Sequence, residues 1–195
     1  MYSEIKNKIN FINISNEDFT LFEWKPPNSF KSYVLDLNIV KENTANDIFF
    51  HINRGNMKIV YIRKNELLYT IGAESEVQFQ ILEALLEYID KKFHETYDID
   101  VILSYENVNP IAFKGFKDTV NEVIENIEDL KIIKVVDVFC RVCRKTLLLH
   151  IKKTIIEQAT SYPVPIVFIH EGHAIVCYID QNFVVRGVEF VNATG

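Results

Sequence analysis

Apolar and polar residues alternate from Ile9 to Ile14 and again from Phe19 to Trp24, the period of strands that give one face to a core. Pro26-Pro27-Asn28-Ser29 breaks the pattern. Val34, Leu37, Ile39 and Val40 fit either a strand or a short helix. Asp47 to Ile52 predicts a strand, and Arg54-Gly55-Asn56 predicts a hairpin turn after it. Lys58 to Arg63 and Leu67 to Ile71 are apolar runs separated by Lys64-Asn65-Glu66. They predict paired strands, the second ended by Gly72. The period then changes. Val77, Ile81, Leu85, Ile89 and Phe93 recur every four residues, with Leu82 and Leu86 beside them, which predicts an amphipathic helix over about residues 75–94. Ser75 and Gln78 are spaced as a capping box for it, and Glu83, Glu87, Asp90 and Lys91 fall on its polar side.

Asp98 to Tyr105 fits helix or strand. Pro110 suits the first turn of a helix, where its missing N–H costs nothing. Val120, Val123, Ile124 and Ile127 continue a helical stripe to about Glu128, and Phe113 and Phe116 are assigned to the core. Beyond Asp129 the pattern turns to period two and β-branched runs. Ile132 to Phe139 and Thr146 to Ile151 predict a hairpin around Cys140 to Cys143. Lys153 to Ser161 predicts a short helix. Val164 to Ile169, Ala174 to Ile179 and Phe183 to Phe190 predict strands joined at Glu171-Gly172 and Asp180-Gln181-Asn182. The expected fold is α/β (α+β) in two parts. Residues 1–130 form an antiparallel sheet with flanking helices, and residues 131–195 form a small β-rich ββαβββ domain.

Tyr61, Leu67 and Gly72, with Arg63 nearby, have the spacing of a tyrosine, leucine and glycine in a known family. The run Leu86-Glu-Tyr-Ile-Asp-Lys-Lys-Phe93 is similar to that family's V-E-x-L-D-K-Y-F, and Asp100 and Glu106 keep its register. On these residues, positions 61–106 resemble the small sigma subunits of clathrin adaptors and the coatomer zeta subunit. The resemblance implies a longin-like domain that docks on partner subunits, small GTPases or tail peptides. The long first helix it also implies is not evident before Lys58, and residues 130–195 have no counterpart in it.

Hydrophobic residues make up 48% of the chain and charged residues 25%, enough for a core and too little charge for disorder. The net charge of −6 disfavours general binding to nucleic acid or to an acidic membrane surface. The N-terminus lacks a signal-peptide layout, and no apolar run reaches the roughly 20 residues of a membrane span. Three cysteines without scaffold spacing fit reduced thiols in a cytoplasm.

The chemistry-bearing residues gather late in the chain. Cys140 and Cys143 lie two residues apart in one predicted turn, and His170 and His173 flank another. Two such turns facing each other would make a Cys₂His₂ site for one structural zinc, with Zn–S near about 2.3 Å. Ordinary strand cysteines with turn histidines are the favoured alternative, and a redox dithiol is a third. Cys177 or Cys140 with His173 or His150 would be needed for a nucleophile and base, but Cys177 sits in a run that predicts burial. His170-Glu171 lacks the i, i+4 histidines of a helical metalloprotease motif. No catalytic constellation emerges. The expected role is a non-catalytic docking module for another protein, such as a small GTPase or adaptor subunit, with a homodimer compatible. The alternative is a thiol- or metal-dependent enzyme or redox protein built on Cys140, Cys143 and His173.

Overall fold

The computed structural model describes residues 5–27, 45–104 and 109–191, and the backbone alone of Asp100 and His173. Val34 to Val40 and Tyr105 lie outside the described residues. The fold is mixed α/β, in two units, Met1–Lys131 and Ile132–Gly195. In the first unit β1 (Ile9–Ser15), β2 (Thr20–Trp24), β3 (Phe49–Arg54), β4 (Met57–Lys64) and β5 (Leu67–Glu74) form one antiparallel sheet in the order β2-β1-β5-β4-β3. Helix α1 (Phe79–Thr96) packs on β4 and β5. Short α2 (Ile99–Leu103), a 3-10 turn (Pro110–Phe113) and α3 (Phe116–Glu125) follow.

Ile81, Leu85, Ile89 and Phe93 are all buried on α1, as the four-residue period requires. Phe93 centres an aromatic cluster, 5.4 Å from Phe113 and 5.0 Å from Phe116 between ring centroids, and Phe116 in turn meets Phe22 of β2 at 5.2 Å. Phe113 and Phe116 therefore join both later helical segments to α1 and the sheet. Among the described residues, Phe11, Ile59, Tyr61 and Leu68 form a second apolar cluster. Leu68 and Tyr69 are neighbours on one strand and point to opposite faces, so the sheet has apolar residues on both sides.

Three local expectations change. The helix begins at Phe79, with Gln78 at the N-cap and no side-chain capping bond, so the capping box does not form. The reason lies upstream. The Ser75 N–H donates to the Asn56 carbonyl, and Lys58 Nζ donates to the Val77 carbonyl at 3.0 Å, which holds residues 75–77 as a turn off β5 with only Val77 buried. Glu83 and Asp90 are buried, not on a solvated face. Glu83 meets His51 Nε2 at 2.8 Å and Asp90 accepts from Lys64 Nζ at 2.6 Å, tying the polar flank of α1 to β3 and to the end of β4. Gly72 does not end β5. It lies inside the strand opposite Phe11, and a Cβ there would come within 2.1 Å of Phe11 Cε1.

In the second unit β6 (Ile133–Cys140) pairs with β7 (Lys145–Lys152). After α4 (Lys153–Glu157), β8 (Val164–His170), β9 (His173–Ile179) and β10 (Val185–Val191) form a sheet in the order β10-β9-β8. The inward rows of both sheets meet in one core that includes Val138, Leu149, Ile166, Phe168, Ile175 and Cys177. The β9–β10 turn is organised by Asp180, whose carboxylate accepts from the Asn182 and Val184 N–H groups and from Arg186 Nε at 2.7 Å.

Two outcomes follow from these contacts. Gly72→Ala should destabilise the first unit by about 1–3 kcal/mol through overpacking. Adding Phe11→Leu should recover part of that loss in urea unfolding, and strictly additive effects would refute the contact. The second concerns pH. The Val184 N–H, followed by Arg186 and the Asn182 N–H, holds the Asp180 carboxyl below the usual carboxylate range. Its folded pKa is depressed, so its stabilisation is present above the unfolded value of about 3.9 and is lost as pH falls through the folded value. Asp180→Asn should therefore be less stable than the wild type at about pH 7, with the gap closing as pH falls below about 4. Thermal melts across pH check it.

Candidate metal centre

The β6–β7 hairpin turns through residues 141–144, with Arg144 at φ 57°. The turn brings backbone amides onto both sulfurs. Cys140 Sγ accepts from the Cys143 and Val142 N–H groups, Cys143 Sγ accepts from the Lys145 N–H, and the two thiols hydrogen-bond each other. Cys140 is buried and Cys143 half-buried. The Cys143 N–H is the largest of several influences that together hold the Cys140 thiol below its ordinary pKa. Desolvation, followed by the Cys140 thiol, raises that of Cys143.

The β8–β9 hairpin turns in two residues, Glu171 at φ 45° and Gly172 at φ 78°. Both central residues are left-handed, the geometry that matches the twist of paired strands. Glycine takes it freely, whereas a glutamate there costs roughly 1–2 kcal/mol. His170 and His173 are cross-strand partners on either side.

These turns come together. Cys143 Sγ lies 3.3 Å from His170 Nε2. Glu171 Oε2 is 3.6 Å from the same nitrogen, and Glu171 Oε1 accepts from Lys145 Nζ at 2.8 Å. One ligand atom each from Cys143, His170 and Glu171 lies within 4.8 Å of the others. Ligand atoms around one tetrahedral zinc are separated by about 3.3–3.8 Å, given bonds of about 2.0–2.3 Å. The Cys143–His170 pair already stands at that spacing. Of the four residues expected from the sequence, Cys143 and His170 meet directly. Cys140 adjoins Cys143 without belonging to the 4.8 Å group, and the His173 side chain lies outside what the structure describes. Glu171 was missed as a ligand candidate. Its signal was a carboxylate inside a two-residue turn between two histidines.

Of the nucleophile pairs expected from the sequence, those with His173 rest on a side chain outside the described residues. Cys177 is fully buried in the second unit's core, where burial pushes its thiol up to about 11. Burial also lowers the imidazole pKa of His150. Among the described residues the Cys–His contact is Cys143 with His170.

No protein-family model and no curated protein matches the chain. Among the described residues no helix is long and apolar enough to cross a membrane.

Native, reduced protein treated with iodoacetamide at about pH 8 should stay unmodified at Cys177, because a buried thiol with a raised pKa offers almost no thiolate. Peptide mass spectrometry should find that site alkylated only after denaturation. Rapid native labelling of Cys177 would contradict its place in the core.

Proposed function

We propose that the protein is a non-catalytic docking module that binds another protein in the cytoplasm. The observation that carries this reading is the outer face of the β8–β9–β10 sheet. Cross-strand register sets Ile169 and Val191 on either side of Ala174, and Val167 and Glu189 on either side of Val176. Ile169 is 80% exposed, Val167 61% and Val191 47%. Large apolar residues clustered on an open face mark interaction sites more often than neutral surface. A partner with an apolar anchor would desolvate Ile169 and Val167, while Glu189 supplies a polar rim. The antiparallel sheet backed by helices in the first unit supports the longin-like resemblance, which points to a small GTPase or an adaptor subunit as the kind of partner.

A second reading rests on the Cys143–His170 contact, which is also the arrangement of a thiol nucleophile and its base. The raised pKa of Cys143 and the second thiol beside it weigh against that role.

The test uses paired substitutions on the open face. Val167→Glu with Ile169→Glu should weaken capture of a candidate GTPase or adaptor subunit by at least roughly tenfold, with the melting temperature unchanged. Full binding by this variant would overturn the assignment of the face. Light scattering that shows wild-type self-association, abolished in the variant, would assign the face to a second copy of the chain. Turnover of a substrate that vanishes with Cys143→Ser or His170→Ala would establish the enzyme instead.

A further inference from the structure

The two hairpin turns of the second unit occupy a particular place in its core. The buried row of β6 runs Val136, Val138, Cys140. The corresponding row of β8 runs Ile166, Phe168 and then half-buried His170. Each row therefore ends on a metal-ligating residue. Among the described residues the two sheets share no ladder hydrogen bonds, and they are held to one another by side-chain packing. Small units of this kind commonly need a staple beyond their apolar core.

We infer that these turns form a structural zinc site, with Cys140, Cys143 and His170 as three ligands and Glu171 of the β8–β9 turn as the fourth. This goes beyond the docking role and does not depend on it. Several features select the ion. Two sulfurs and an imidazole nitrogen suit zinc, whereas magnesium and calcium prefer oxygen donors. The turn aims amide N–H groups at both sulfurs, those of Cys143 and Val142 at Cys140 and that of Lys145 at Cys143. Glu171 sits at the left-handed position where glycine or asparagine would be cheaper, which places a carboxylate beside His170 Nε2. Cys140 adjoins Cys143 at the same turn and would move toward His170 when the ion binds. Bound zinc would form a last polar layer at the end of the core and fix one hairpin to the other.

The full chain, reduced and stripped with chelator, should be titrated with cobalt(II) alone. The expected result is about one ion per chain, with the visible bands of tetrahedral cobalt and a thiolate charge-transfer band in the near ultraviolet, all displaced by zinc. Metal should also raise the melting temperature of the second unit. Cys140→Ser, Cys143→Ser and His170→Ala should each weaken binding by at least about tenfold, and Cys177→Ala should leave the cobalt spectrum intact. Glu171→Gln should also lose at least about tenfold in affinity, and unchanged binding would overturn the assignment of the fourth ligand. A folded wild-type chain that shows no thiolate–cobalt band would overturn the whole site. That reading does not depend on whether any variant folds.

Discussion

A β-sheet has two faces, and this chain disposes of them differently in its two units. In the first, α1 lays Ile81, Leu85, Ile89 and Phe93 against one side, and the cluster around Phe11, Ile59 and Tyr61 forms on strand positions of the opposite parity. In the second, the inward rows of the two sheets share a single core, and the outward side of β8–β9–β10 carries Ile169, Val167 and Val191 into solvent. Burial of apolar surface is the main favourable term in folding. A sheet with one covered face has used only half of what its strands offer, and the remaining half is available to a partner.

Periodicity made most of the fold legible. The alternation in β1 and β2, the apolar runs of β4 and β5 and the four-residue stripe of α1 follow from local geometry, so the sequence pattern carries them. What it could not carry were decisions made by residues far apart in the chain. Gly72 has the look of a strand terminator and is instead the space that the Phe11 ring occupies. Ser75 and Gln78 have capping-box spacing, but contacts from Asn56 and Lys58 hold residues 75–77 in a turn, and the helix starts only at Phe79. Glu83 and Asp90 read as solvent positions on a helical wheel because their partners, His51 and Lys64, come from strands earlier in the chain.

The candidate site divides in the same way. Each turn was visible as a pair of ligand-type residues at short spacing, whereas the approach of Cys143 to His170 is tertiary and has no local signature. Glu171 went unnoticed because a glutamate in a turn is ordinary by composition. Its left-handed backbone, which marks it out, exists only in three dimensions.

Strand β8 carries both kinds of information at once. Its even-numbered residues Ile166, Phe168 and His170 serve the core and the metal-type turn, while Val167 and Ile169 face outward. Surface and interior are thus written on one segment in alternate letters, as in a text with two interleaved messages. Substitution can revise either message alone. Loss of a single residue between Val164 and Phe168 would shift the frame and exchange the two, turning the exposed face inward and the core outward. Evolution of this surface is accordingly confined to replacement of side chains and closed to insertion or deletion within the strand.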